Sequence, residues 1–209
     1  MTSRLGASTP EPLALLPVTS LPWLPPNAES PGPLATVEAG VHWDAVRAPA
    51  EIARPAVAAL ARLNEPGALL LDPLSSVYYW LVPRGYAPGV TAGLPGVRAL
   101  GRGAHLVVAA ANIEDGDRPH WRQPPLPGPW ITAPAPLRTA LAAAIGVELP
   151  PLRVLPSFGR LLPAQVQGLA CIWCERAVAL DAVPYPTQPR RTSGGPEHWY
   201  PRACPECAR

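Results

Sequence analysis

The four cysteines of this chain form two Cys-x-x-Cys pairs, one at Cys171 and Cys174 and the other at Cys204 and Cys207. Two residues between paired cysteines allow a tight turn to direct both thiolates toward one point. Two such pairs supply the four soft ligands of a tetrahedral Zn²⁺ site. Because all four cysteines are used and none is left over, the spacing predicts one structural zinc held by these residues.

Other uses of the cysteines remain open from the residues alone, namely two disulfides or a thiol redox motif. The redox motif needs a strand, a turn and a helix around the pair, which the Pro-rich neighbourhood disfavours. A catalytic zinc keeps one position open for water, whereas four thiolates leave none. His198 lies outside the spacing of the Cys204 pair and is a weaker candidate ligand. We expect Trp173 and Trp199 to pack over the site rather than stack on a base.

Three arginines, Arg190, Arg191 and Arg202, are the candidate nucleic-acid-binding residues, because guanidinium groups pair with phosphate. From Cys171 onward, five arginines against four acidic residues give a formal charge of +1. Four thiolates around Zn²⁺ add −2, which leaves about −1. Nucleic-acid-binding modules usually carry a clear positive excess. The charge therefore favours a solvated hairpin tip at Arg190 and Arg191 over a phosphate contact.

The whole-chain composition gives no sign of a protein surface that binds nucleic acid or an anionic membrane. The 209 residues carry a formal net charge of +2. The apolar stretch over 13–24 is interrupted by Pro17 and Pro22, so we expect neither a membrane span nor a secretory signal. Reduced, metal-ready cysteines fit the cytoplasm, where disulfides are rare. The sequence therefore predicts a cytoplasmic protein.

The chain divides into four predicted segments that position these groups. Proline is about three times as frequent as usual, at 32 of 209 residues, and it is dense at the N-terminus. Residues 1–37 are predicted to be a disordered Pro-rich leader, 38–146 a small α+β domain and 147–167 a Pro-rich linker. Residues 168–209, here called the tail module, are predicted to be two knuckles joined by a hairpin, as in a zinc ribbon.

Hydrophobic periodicity predicts the elements of the α+β domain, a small mixed sheet with two helices. The helices are expected over 50–63 and 133–145, and Pro55 is expected either to limit the first helix to starting just before it or to kink the helix there. The strands are expected over the β-branched and aromatic runs at 41–46, 67–71, 77–82, 97–100, 105–109 and 120–123. The second and third of these, 67–71 and 77–82, are expected to form a hairpin.

Six short sequence motifs lie between Val41 and about Pro125. They are Val41-His-Trp-Asp-Ala-Val-Arg47, Leu70-Leu-Asp-Pro73, Tyr79-Trp-Leu-Val-Pro83, Leu94-Pro-Gly-Val97, Gly101-Arg-Gly-Ala-His105 and His120-Trp-Arg-Gln-Pro-Pro125. This region resembles actinobacterial proteins related to the N-terminal domain of bifunctional primase–polymerases. The tail is similar to the short zinc-ribbon ends of small actinobacterial proteins, through the stretch from Trp199 to Cys207.

The resemblance implies the fold without polymerase chemistry. Active members need closely spaced carboxylates on a core strand to hold two divalent metals. Here Asp72 stands alone, and the acidic cluster Glu114, Asp115 and Asp117 falls in a predicted exposed turn. His105 would match the nucleotide-facing histidine of the family, or else be a half-buried strand residue.

Other catalytic motifs do not occur in the sequence. Gly101-Arg-Gly103 is too short for a phosphate-binding loop and lacks the Lys and Ser/Thr of a Walker motif. No Gly-x-Ser-x-Gly elbow is present. We therefore predict a non-catalytic zinc-binding accessory or adaptor protein that acts through protein contacts. The alternative is a nucleic-acid-binding factor derived from a degenerate primase–polymerase scaffold.

Overall fold

A computed structural model gives the fold of this chain over most of its length. The structure describes residues 21–26, 32–65, 67–125, 130–149, 155–156, 158–185, 188–192 and 195–208, with the backbone alone at 188–192 and 195–198. In chain order its elements are β1 (Leu34–Glu38), β2 (Asp44–Pro49), α1 (Ala50–Arg62), β3 (Leu69–Asp72), β4 (Val77–Val82), α2 (Ala87–Thr91), β5 (Arg98–Leu100), β6 (His105–Ala109), β7 (His120–Gln123), α3 (Pro134–Ala144), a 3₁₀ turn (Phe158–Arg160), α4 (Pro163–Val166), β8 (Val183–Pro184), β9 (Gln188–Thr192), β10 (Gly195–Trp199) and β11 (Arg202–Ala203).

A five-stranded sheet with the order β5-β2-β4-β3-β7 forms the central layer, and every neighbouring pair in it is antiparallel. Its middle strand, β4, is buried on both faces. Trp80 and Val82 pack with the helices, whereas Leu81 packs on the opposite side. Because both faces are covered, β4 is an unbroken apolar run rather than an alternating one.

Helices α1, α2 and α3 cover one face of this sheet. Small residues on α1 and α3, such as Ala53, Ala56 and Ala140, let these two helices pack closely, and Leu137 and Leu141 fill the space toward the sheet. Helix α1 begins at Ala50 and runs through Pro55, which removes one backbone hydrogen bond near its start.

An antiparallel ribbon of β1 and β6 covers the other face, with Leu34 opposite Ala109 and Glu38 opposite His105. Trp43 and Trp121 lie fully buried in this second core.

The predicted α+β class is confirmed, but three expectations about its details are wrong. The sheet is antiparallel rather than mixed, since hairpin and helix connections return each strand beside its neighbour in the opposite direction. Over 38–146 the structure has three helices, α1, α2 and α3, rather than the two predicted, and a fourth, α4, lies in the segment predicted to be a linker. Helix α2 was missed because Pro88 and Gly89 read as a loop in sequence.

The third correction concerns the predicted disordered leader over 1–37. Residues 1–20 and 27–31 lie outside the described part of the chain, but Leu21, Trp23 and β1 are packed against the core. Composition hides this order, because the side chains of Leu21 and Trp23 and the backbone groups of β1 find their partners far away in sequence. The boundaries of the linker at 147–167 and of the tail module stay predictions.

Candidate metal centre

The tail module brings the four cysteines together at the junction of two turns. Their sulfur atoms all lie within 4.8 Å of one another. The Sγ atom of Cys204 lies 3.6 Å from that of Cys174 and 3.7 Å from that of Cys171. A tetrahedron with metal–sulfur bonds of ~2.3 Å has edges of about 3.8 Å. The predicted cluster is therefore present, and its size is suited to a single metal ion.

The sulfur separations also bear on the other uses of the cysteines. A disulfide bond is ~2.05 Å long, so neither Cys204–Cys174 nor Cys204–Cys171 is bonded at these distances. Cys174 is followed by turn and coil up to β8 rather than by a helix. The first cysteine pair therefore lacks the strand, turn and helix that surround a thiol redox motif. Together the donor set and its geometry could hold a metal ion.

Backbone hydrogen bonds shape each knuckle. In the first, the N–H of Glu175 donates to the carbonyl of Cys171 at 3.1 Å, and the N–H of Cys171 donates to the carbonyl of Arg176 at 2.8 Å. In the second, the N–H groups of Cys207 and Ala208 both donate to the carbonyl of Cys204, at 3.0 and 3.1 Å. These bonds close the turns that direct the sulfur atoms toward one point.

Strand pairing and a small apolar cluster hold the two knuckles against each other. Strands β8 and β11 pair beside the second knuckle, and β9 and β10 form the predicted hairpin between the pairs. Ile172 donates its backbone N–H to the carbonyl of Arg202 at 3.1 Å, which ties the first knuckle to β11.

The two tryptophans pack over the site as expected. Trp199 is buried and meets Phe158 edge on, with ring centroids 5.4 Å apart. Trp173 meets Tyr185 in the same way at 4.9 Å. Both lie in the apolar cluster that contains the cysteines, so the apolar surface that they bury stabilises the small module.

The thiols do not ionise alike without a cation. A backbone hydrogen bond from Arg176 lowers the pKa of Cys174 to about 6. The neighbouring thiol of Cys204 raises the pKa of Cys207 to about 12, and burial raises the pKa of Cys204. The guanidinium of Arg176 hydrogen-bonds Cys174, which raises the pKa of Arg176. One thiolate is thus favoured in advance, whereas a full set of four needs a bound cation to offset the repulsion among them.

Glu175 occupies the left-handed backbone region, with φ 61°, directly after the first knuckle. A side chain costs free energy there that glycine avoids. We expect Glu175→Gly to raise the free energy of unfolding of the metal-loaded protein by about 1 kcal/mol, measured by urea denaturation. The matched control is Glu206→Gly in the second knuckle, where φ is not positive and glycine should destabilise. Equal effects at the two positions would contradict this account.

The tail module docks on the α+β domain through Arg202. Arg202 is 7% exposed as a residue, and its guanidinium donates from Nη2 to the carbonyl of Gly85 at 2.7 Å and lies 4.5 Å from the ring centroid of Tyr86. The hydroxyl of Tyr86 donates in turn to the carbonyl of Tyr200 at 2.7 Å. Burial raises the pKa of Tyr86 to about 12 and lowers the pKa of Arg202. Arg202 is therefore directed into the protein and not toward a phosphate, unlike its predicted role.

The other sequence candidates lie apart from the cysteines. Asp72 accepts hydrogen bonds from the backbone N–H groups of Leu74 and Ser75 and so caps the turn between β3 and β4. His105 is exposed on β6, and the acidic cluster Glu114, Asp115 and Asp117 is exposed after β6. Residues whose side chains lie outside the described part of the chain are Arg190 and Arg191 on β9 and His198 on β10.

Sequence reasoning missed Asp44, a carboxylate that is only 3% exposed. Its Oδ2 atom accepts hydrogen bonds from the backbone N–H groups of Gly85 at 2.7 Å and Ala87 at 3.4 Å. Burial raises the pKa of Asp44, while these two hydrogen bonds and nearby Arg84 and Arg202 act in the opposite direction. An acidic residue inside an apolar strand pattern was the available signal.

Comparison with known proteins returned no matching family, no curated relative and no solved structure of similar fold. Over the described residues, the helices are too short or too polar to cross a bilayer.

Proposed function

We propose that this protein is a non-catalytic accessory protein of the cytoplasm that carries one structural zinc ion and acts through contacts with partner proteins. The observation that carries the proposal is the compact cluster of four sulfur atoms in the tail module. Tetrahedral sets of four sulfurs suit zinc or iron, and two knuckles joined by a hairpin are typical of a zinc ribbon. Four thiolates fill the coordination sphere, so this metal would stabilise the module without binding a substrate.

The carboxylates support a non-catalytic role. The described residues include two candidate acids at ends of core strands, and each has a structural use. Asp44 accepts hydrogen bonds from backbone N–H groups at the start of α2, and Asp72 caps the turn between β3 and β4. Among the described side chains, the cysteines are the one group of three or more metal-ligating residues close enough to share an ion. Among these described side chains, the carboxylates do not gather into the donor set that a two-metal polymerase site needs.

Surface chemistry favours a protein partner. The tail has a charge of about −1 once the metal and its thiolates are counted. Leucines in and beside the tail are exposed, and they offer apolar area of the kind that protein interfaces bury: Leu162, Leu169 and Leu180.

The alternative, a nucleic-acid-binding factor on a primase–polymerase-type scaffold, is tested by fluorescence anisotropy at two salt concentrations. We expect single- and double-stranded DNA to bind no more tightly than roughly 10⁻⁴ to 10⁻⁶ M at physiological salt, because the tail lacks a positive excess. The double variant Arg190→Ala/Arg191→Ala should bind equally weakly. Submicromolar affinity that falls steeply with salt and is lost in the double variant would replace the adaptor function with the alternative.

A further inference from the structure

A groove that is open to solvent lies where the β1–β6 ribbon meets the turn between β3 and β4. Its volume is about 650 Å³, and its lining comes from β1, β3, β4, β6, the β3–β4 turn and the residues just before β7. Small-molecule sites in proteins have volumes of roughly 300–1,000 Å³. None of the four cysteines lines this groove, so it is separate from the metal centre.

Much of the lining is apolar. Leu70 and Leu106 belong to the second core, and the half-buried side chain of Tyr79 packs against that core. Two further apolar residues of the lining are open to water, since Leu74 is 84% exposed and Val107 is 39% exposed. Apolar side chains gathered around a concave surface are typical of ligand sites, because a ligand with an apolar body removes them from water.

The charged residues of the groove differ in how well they are already paired. The Oδ1 atom of Asp72 accepts hydrogen bonds from the backbone N–H groups of Leu74 at 3.1 Å and Ser75 at 3.4 Å, and its Oδ2 atom accepts one from the hydroxyl of Ser75. Arg118 and His105 also line the groove and are exposed. Within the described part of the chain, their side chains form no hydrogen bond or ion pair. The groove therefore offers an unpaired guanidinium and an imidazole, whereas its carboxylate is already hydrogen-bonded by its own turn.

We propose that this groove binds a small amphipathic anion, that is, a molecule with an apolar body and one carboxylate or phosphate group. The apolar body covers Leu74, Val107 and the ring of Tyr79, and Arg118 pairs with the anionic group. A hydrophilic anion would leave Leu74 and Val107 in water, and an apolar cation would leave Arg118 unpaired. The site goes beyond the adaptor function, because it lies in the α+β domain and uses no metal ligand.

Isothermal titration calorimetry of the full-length, zinc-loaded protein tests the site with ligands that share one apolar tail. Decanoate and decyl phosphate carry the anionic group, decylammonium reverses its charge, and acetate lacks the tail. We expect one of the two tailed anions to bind in a saturable manner, at least about tenfold more tightly than decylammonium or acetate, because it alone satisfies both the apolar lining and Arg118. The tighter of the two anions identifies the head group, carboxylate or phosphate.

Two substitutions at exposed positions, each with a matched control, locate the binding. Arg118→Gln should weaken binding of the tailed anion by about tenfold and leave decylammonium unaffected, whereas Arg122→Gln, at an exposed position of β7 outside the groove, should change neither. Leu74→Ala should weaken binding of the anion by about fivefold, whereas Leu63→Ala, 60% exposed at the end of α1, should not.

Circular dichroism and zinc content of each variant show that the fold and the metal centre are intact. The site would be overturned by equal affinities for the tailed anions and decylammonium, or by the absence of saturable binding to the folded, zinc-loaded protein. Losses in the two control variants as large as those in Arg118→Gln and Leu74→Ala would also overturn it. The adaptor function is tested separately, because zinc content does not depend on the groove.

Discussion

Replacing one cysteine in each knuckle, as in Cys171→Ser/Cys204→Ser, is expected to abolish zinc binding and unfold the tail module. The parent should contain about one zinc per chain by elemental analysis, which also distinguishes zinc from iron. Structural zinc sites contribute about 10–16 kcal/mol of apparent binding free energy in small modules. The tail module is small, and its apolar cluster is built around the cysteines, so little else can replace that contribution.

Hydrogen exchange over 171–208 measures the unfolding, and chelation of the parent protein should reproduce it. Ala177→Ser is the matched control, because it adds a serine hydroxyl beside the first knuckle at an exposed position without removing a ligand. It should keep the full zinc content. A metal-free parent whose four thiols titrate freely while the tail stays protected would contradict the zinc site.

Arg202→Ala should lower the free energy of unfolding by about 3 kcal/mol while zinc content stays unchanged. The substitution leaves the carbonyl of Gly85 without its donor, removes the contact with Tyr86 and opens a cavity between the tail module and α2. The contact surface is close-packed nearby, since a methyl group on Gly89 would lie only 2.0 Å from the carbonyl oxygen of Ala182. Neighbouring groups therefore cannot collapse freely into the space.

Urea denaturation of the zinc-loaded proteins measures this effect. Arg202→Lys keeps the charge but loses the planar donor, so it should fall between the parent and Arg202→Ala. Arg160→Ala, at an exposed arginine of the 3₁₀ turn, should change stability by less than about 0.5 kcal/mol. If Arg202→Ala matches Arg160→Ala, the docking contact has no energetic role. If it loses zinc as well, Arg202 supports the metal site rather than the junction.

Local sequence pattern was sufficient to predict the strands and helices whose residue types indicate which face is buried. The predicted bounds of β4, β6 and β7 agree with the structure residue for residue, and those of α1 and α3 agree to within one residue at each end. Apolar periodicity records which face of such an element is buried, and that information lies within the element. The cysteine cluster was predictable for the same reason, because each Cys-x-x-Cys turn arranges two donors locally.

Tertiary structure alone decided the features that depend on distant partners. β1 and Trp23 lie in a segment whose composition indicates disorder, and they are ordered by contacts with β6 and with three distant tryptophans. Arg202 resembles a surface residue in sequence, yet its charge is buried because Gly85 supplies a carbonyl and Tyr86 a ring face. The charge of a residue or the proline content of a segment indicates a preference for exposure to water. Whether such a residue is nevertheless buried depends on whether the fold brings a compensating group from elsewhere in the chain. The sequence by itself thus determined the four-cysteine cluster, most of the strands and the two longer helices, and the tertiary structure decided how the tail module and residues 21–26 attach to them.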